Sequence, residues 1–137
     1  MKAVAIDLDA LGDTRRLMED WHADAAHRFR VDVSALESEL PNWERLLERF
    51  AEERAPVYLR PDADASGVLR SLDADGVHIG VFTEAPTALA RVALAQLGVA
   101  RRVTALETGT GALERLLARF GDDTAVVRTR EQLVGLI

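Results

Sequence analysis

Residues 5–14 have the sequence AIDLDALGDT, in which two carboxylates, Asp7 and Asp9, follow a short apolar run. The run at residues 3–8 predicts a buried strand, because it is short, aliphatic and bounded by polar residues. Two like charges this close cost free energy unless a cation, a proton or hydrogen-bond donors compensate them. The stretch therefore indicates either a functional site or a pair of aspartates that only form a turn.

The composition is that of an ordinary globular protein, and 137 residues are enough for one domain, residues 1–137. The net charge of -6 disfavours nucleic acid and anionic membranes, which bind clustered cations. The chain has no cysteine, which excludes disulfides, thiolate zinc sites and thiol catalysis. No apolar run approaches the roughly 20 residues of a membrane span, and the N-terminal run is too short for a signal peptide. We therefore expect a cytoplasmic protein without a membrane partner.

Beyond residue 60, predicted strands alternate with predicted helices. The strands are VHIGVF at 77–82, RVTAL at 102–106 and TAVV at 124–127, and an amphipathic or proline-initiated helix follows each of them. Strands that alternate with helices favour right-handed βαβ units. The pattern predicts an α/β fold with a parallel sheet that is covered on both faces.

Residues 10–60 interrupt this alternation with helices alone, which indicates an insertion after the first strand. One helix is predicted at 13–29, a second is predicted to begin at Pro41, and residues 55–64 are expected to be a connector. We expect the aromatic residues Trp21, Trp43 and Phe50 to be half-exposed. Such residues can close the interface with the core, line a pocket or contact a second copy of the chain, so a homo-oligomer is compatible with the sequence.

Polar side chains stand where the predicted strands end. Asp7 and Asp9 follow strand one, Thr83 ends strand two, and Arg128 follows strand four. Ligands of open α/β sheets bind beyond the carboxyl ends of the strands. These four residues are therefore the candidate site.

With its Asp-x-Asp after strand one, its helical insertion and its strand-end threonine, the sequence resembles the haloacid dehalogenase (HAD) superfamily, most of whose members are phosphatases. The resemblance implies a Rossmann-like parallel sheet of strand order 3-2-1-4, with residues 10–60 as a small helical cap. It implies that Asp7 is the nucleophile that forms an aspartyl phosphate and that Asp9 is the general acid and base. It further implies that Thr83 binds the phosphoryl group and that Mg²⁺ is held by Asp7 and the backbone carbonyl of Asp9. The expected substrate is a small phosphorylated molecule.

The sequence departs from the family pattern at two motifs. The segment LETGTGAL after strand three lacks the expected lysine, and Arg128 and Arg130 stand at the tip of strand four, where the family places metal-binding acids. Either arginine can replace the charge of the lysine. Glu84 or Glu107 can supply a replacement metal ligand.

Two hypotheses follow from these departures. The first is a HAD-type phosphatase whose activity is weak because the lysine and the last acid are missing. The second is a catalytically inactive relative, a pseudoenzyme that serves as a ligand-binding or protein-interaction module.

Overall fold

A four-stranded, all-parallel sheet forms the centre of the molecule in the computed structural model, which describes residues 1–137. The strands are β1 (Ala3–Asp7), β2 (His78–Thr83), β3 (Ala105–Thr108) and β4 (Thr124–Val127). Their order is β3-β2-β1-β4, which confirms the predicted order 3-2-1-4 and the α/β class. The register pairs Asp7 with Phe82 and Thr83 with Thr108, so the strands end at a common edge.

Seven α-helices surround the sheet. They are α1 (Thr14–Phe29), α2 (Leu36–Glu39), α3 (Trp43–Tyr58), α4 (Ala63–Ala74), α5 (Thr87–Gln96), α6 (Ala112–Phe120) and α7 (Arg130–Val134). Short 3-10 turns lie at Leu8–Ala10, Val33–Ala35 and Ala100–Arg102. None of the helices combines the length and the apolar character that crossing a membrane requires.

The two faces of the sheet are covered unequally. Val4 and Ile6 of β1 belong to a large core cluster with residues of α1, α3, α4, α5 and α7, whereas Ala5 belongs to a small cluster with α6. This division follows from the alternation of side chains along a strand. Because α6 contacts β1, β2 and β3, Val126 of β4 stays 38% exposed on the same face as Ala5. The second face is therefore covered over three of the four strands.

The approach of α6 to the sheet depends on a glycine. A Cβ atom at Gly80 would lie 2.5 Å from Cε2 of Phe120 and 2.8 Å from Cδ1 of Leu116. Gly80 is on the face of β2 that α6 covers, so the absence of a side chain lets the helix lie directly against the strand.

The end of helix α3 differs from the prediction. The helix continues through Pro56 to Tyr58, whereas residues 55–64 were expected to be a connector. Pro56 lies in the last turn, where the missing N–H removes a single helical hydrogen bond. Burial of Ala55 and Leu59 holds this turn, and the Leu59 N–H donates to the Ala55 carbonyl at 2.7 Å. The helix start also differs slightly, since Pro41 lies in the turn that precedes Trp43.

The expected half-exposure of Trp21 and Phe50 is wrong. Trp21 is 2% exposed and Phe50 is 7% exposed, and their ring centroids are 5.6 Å apart. Both belong to the large core cluster, because α1 packs on α3 and α3 packs on α5. Trp43 alone is half-buried, as expected. The helices between β1 and α4 therefore share the core of the sheet.

Candidate functional site

The two carboxylates of the first βα connection are arranged by a tight turn. Asp7 is the last residue of β1, and its carboxylate accepts a hydrogen bond from the Asp9 N–H at 3.0 Å. This bond caps the 3-10 turn Leu8–Ala10, which holds Asp9 just beyond the end of the strand. Aspartate forms such turns readily, because its short side chain reaches the backbone two residues ahead.

Asp9 is connected in turn to the start of α1. The Thr14 hydroxyl donates to the Asp9 carboxylate at 2.5 Å, and Thr14 itself is 4% exposed. Thr14 is the first residue of the helix. The hydrogen bond therefore fixes the Asp9 side chain relative to the helix that follows it.

The charge of Asp7 is only partly compensated. Burial raises the pKa of the Asp7 carboxyl, and the neighbouring charge of Asp9 raises it further. The hydrogen bond from the Asp9 N–H and the charges of Arg128 and Arg15 lower it, but the net direction is upward. One backbone donor and two guanidinium groups are thus what allows the two acids to stand side by side.

A cavity of about 690 Å³ lies beyond the carboxyl ends of the strands. All four residues predicted for the site, Asp7, Asp9, Thr83 and Arg128, line it. The structure therefore brings together residues that are up to 121 positions apart in sequence, from 7 to 128. A pocket in this place agrees with the rule for ligand sites in open α/β sheets.

Thr83 and Arg128 reach the pocket from two strand ends. The Thr83 Oγ1 accepts a hydrogen bond from the Ala85 N–H at 3.2 Å, which leaves its own hydroxyl hydrogen free to donate. The Arg128 guanidinium lies over the Phe82 ring, 5.7 Å from its centroid. No carboxylate forms an ion pair with Arg128, so Arg128 and Asp7 are not directly paired.

Two of the proposed replacements for the missing motif residues form ion pairs with other residues. Arg130 pairs with Asp62 at 2.5 Å and joins the start of α7 to the start of α4. Glu107 pairs with Arg115 at 2.9 Å. Glu84 does line the pocket. Arg128 and Glu84 are therefore the replacements that the structure leaves available.

The side chains present do not form a magnesium cage on their own. The chain has no group of three or more histidine, aspartate or glutamate side chains arranged to hold a metal ion. Magnesium takes oxygen ligands in octahedral geometry and usually keeps several waters beside one or two carboxylates. Here the Asp9 carboxylate is hydrogen-bonded to Thr14, and the charges nearest Asp7 include two arginines. The assignment of Asp7 and Asp9 as Mg²⁺ ligands stays a prediction.

Helix α1 contributes residues that the sequence interpretation missed. Thr14, Arg15, Met18 and His22 line the pocket, and His27 does not. Thr14, Met18 and His22 are four residues apart, a spacing that places them on one helix face. This spacing, counted onward from the Asp-x-Asp turn, was the sequence signal that could have identified these pocket residues.

The other rim of the pocket is the N-terminus of α6, a helix of 9 residues. Gly111 precedes the helix with a φ of 79°, and both Gly111 and Ala112 line the cavity. The first N–H groups of a helix lack partners within the helix and favour anions. The N–H groups that follow Ala112 therefore add donors to the pocket, whereas the Ala112 N–H already donates to the Gly109 carbonyl at 3.3 Å.

Comparison of the chain with protein-family models and with curated proteins gives no match. The class of protein that the fold and the pocket define is thus an α/β protein with a polar cleft at the carboxyl edge of a parallel sheet.

Proposed function

We propose that the chain is a HAD-type phosphohydrolase of one Rossmann-like domain, residues 1–137, with residues 10–60 as a small helical cap. The pocket binds a small phosphorylated molecule. The observation that carries this proposal is the convergence of Asp7, Asp9, Thr83 and Arg128 on one cavity of about 690 Å³. A pair of turn-forming aspartates would not require a hydroxyl and a guanidinium from two other strands at the same place.

In the proposed reaction an Asp7 carboxylate oxygen attacks the phosphorus of a phosphate monoester. The bond between phosphorus and the ester oxygen breaks, and Asp9 gives its proton to the departing alkoxide. Water then attacks the aspartyl phosphate while Asp9 takes a proton from it. The bond between phosphorus and Asp7 breaks, which releases inorganic phosphate and restores the Asp7 carboxylate.

The charge of the phosphoryl group is stabilised by the donors that surround the two acids. Arg15 and Arg128 lie close enough to lower the pKa of Asp7, against the larger effect of burial, and both line the pocket. The Thr83 hydroxyl and the N-terminus of α6 add uncharged donors. Guanidinium groups suit phosphate oxygens because they donate two parallel hydrogen bonds. Arg128 thereby takes over the charge of the lysine that the third motif lacks.

The test is hydrolysis of p-nitrophenyl phosphate by the purified chain, measured with and without added Mg²⁺. We expect slow release of nitrophenolate that the Asp7→Asn substitution reduces by at least about 10³-fold, as for loss of a nucleophile. Asp75→Asn is the matched control, because Asp75 is an exposed aspartate at the end of α4. Equal activity in wild type and Asp7→Asn would refute the proposed nucleophile.

The alternative is a catalytically inactive protein that uses the same pocket to bind a phosphorylated ligand. What favours it is the tip of β4, which supplies Arg128 to the pocket and no carboxylate. Binding of phosphate esters by calorimetry without any turnover would support this alternative. Activity that Asp7→Asn abolishes would exclude it.

A further inference from the structure

A second cavity adjoins the first on the side of Asp9. It has a volume of about 530 Å³ and lies between the turn after β1, the end of α3 and the start of α7. Asp9 and Arg15 line both cavities. The two cavities therefore share residue 9, whose side chain protonates the leaving group in the proposed reaction.

The charged groups of this second cavity divide into paired and unpaired ones. Asp62 is ion-paired with Arg130, whereas Asp9 and Asp13 accept hydrogen bonds from uncharged donors, the Thr14 hydroxyl and the Arg16 N–H. Arg130 is satisfied by the same contact with Asp62.

The two remaining arginines, Arg15 and Arg60, are exposed and form no ion pair with any acid of the chain. The hydroxyl of Tyr58, the aromatic residue of the cavity, donates to Asp20. Arg15 and Arg60 are thus the unpaired cations of this cavity, and guanidinium groups hold anions through charge-assisted hydrogen bonds.

We propose that this second cavity binds an anionic group, a carboxylate or a phosphate, carried by the alcohol part of the substrate. The inference rests on the proposed function, since the departing alcohol must lie beside Asp9 to receive its proton. Arg60 and Arg15 hold the second anion while Arg128, Thr83 and Arg15 hold the transferred phosphoryl group. The substrate class is accordingly a small phosphate monoester that carries a second anionic group.

The test compares small phosphate esters with and without a second anionic group. Ethyl phosphate has a methyl group where 2-phosphoglycolate has a carboxylate, and ethylene glycol bisphosphate carries a second phosphate on that methyl carbon. Their dissociation constants are measured by calorimetry with the Asp7→Asn protein, which cannot transfer the phosphoryl group to residue 7. We expect at least one ester with a second anionic group to bind about tenfold more tightly than ethyl phosphate, as for a gained charge-assisted hydrogen bond. The better of the two identifies the second anion as carboxylate or phosphate.

The Arg60→Gln substitution, made in the same background, should bring the ratio of the two dissociation constants, ethyl phosphate over the tighter ester, close to one. It should leave the affinity for ethyl phosphate unchanged. Arg60→Lys should keep part of the ratio, because it keeps the charge. Arg70→Gln is the matched control, an exposed arginine on α4 outside both cavities, and should keep the full ratio.

The outcomes separate the two proposals. Equal binding of all three esters, or a preference that survives Arg60→Gln, overturns the second subsite and leaves the first pocket intact. Failure of every ester to bind overturns both proposals.

Discussion

At the scale of single residues, Asp7 is a side chain whose environment disfavours its own charge. Burial raises the pKa of its carboxyl despite the hydrogen bond from Asp9 and the two nearby guanidinium groups. Such a group binds its proton more tightly in the folded state than in the unfolded state. The ionised form therefore costs stability at any pH above the folded pKa, and that cost disappears as the pH falls below the unfolded pKa.

This linkage makes a first prediction for the Asp7→Asn substitution. An amide keeps an oxygen that can accept the Asp9 N–H but carries no charge, so the variant should melt at a higher temperature than wild type at neutral pH. The difference should shrink as the pH is lowered through the Asp7 titration. Thermal unfolding between pH 3 and 8 measures it, with Asp75→Asn as the control for the change in net charge. A variant that is less stable than wild type at neutral pH would contradict the argument.

A second prediction concerns Arg128, whose charge lowers the pKa of Asp7. Burial raises the Asp7 pKa and is the larger effect. Arg128→Gln removes the opposing charge, so the Asp7 pKa should rise further. The acidic limb of the activity profile should then move to higher pH. Loss of one donor to the phosphoryl oxygens should also reduce kcat/KM by roughly 10²-fold. The pH dependence of p-nitrophenyl phosphate hydrolysis measures both effects. A carbon-13 NMR titration of the Asp7 carboxyl reports the first effect even without turnover. An unchanged titration would show that Arg128 does not act on Asp7.

At the scale of elements, the packing of α6 on β2 depends on the backbone of Gly80. A Gly80→Ala substitution places a methyl group within 3 Å of the buried Leu116 side chain, so we expect a loss of about 1–3 kcal/mol in the free energy of unfolding. Gly67→Ala is the matched control. Gly67 lies inside helix α4 with no atom near its Cβ position, so alanine there should stabilise by about 0.5–1 kcal/mol. Urea denaturation measures both, and equal signs for the two variants would refute the argument.

The helices and strands also show which parts of the fold could be predicted from the sequence. The strands and their parallel arrangement were predictable, because short aliphatic runs that alternate with amphipathic helices favour βαβ units, whereas the order 3-2-1-4 was expected from the resemblance to the HAD superfamily. The extension of α3 past Pro56 could not be predicted, because a proline in the sequence indicates the end of a helix. Only the burial of Ala55 and Leu59, which the sequence does not show, favours continuation of the helix. The strand-end residues of the site were predictable from the edge rule. The position of Arg60 in the same cavity as Asp9 could not be predicted, because it depends on how α3 ends.

At the scale of the whole molecule, the helices inserted after β1 and the sheet form one core. Residues of α1 and α3 belong to the same buried cluster as Val4 and Ile6 of β1. The pocket also takes Arg15 and His22 from α1 and Asp7 from β1. The cleft is thus built between parts that are stabilised jointly, which predicts that the insertion cannot unfold while the sheet remains folded.

Trp21 tests this joint stability, because it lies on α1, is 2% exposed and contacts Phe50 of α3. Trp21→Ala removes a large buried side chain and should cost about 3–5 kcal/mol, a substantial part of the stability of a domain this size. Because the core is shared, the far-ultraviolet circular dichroism signal and the fluorescence of Trp43 should shift together to lower denaturant. Val57→Ala on the same α3 helix, at a side chain that is 62% exposed, should change little and serves as the control. Two separated transitions, with the sheet unfolding at its original midpoint, would mean that the inserted helices fold independently. The residues of α1 would then be positioned over Asp7 by an element that can open on its own.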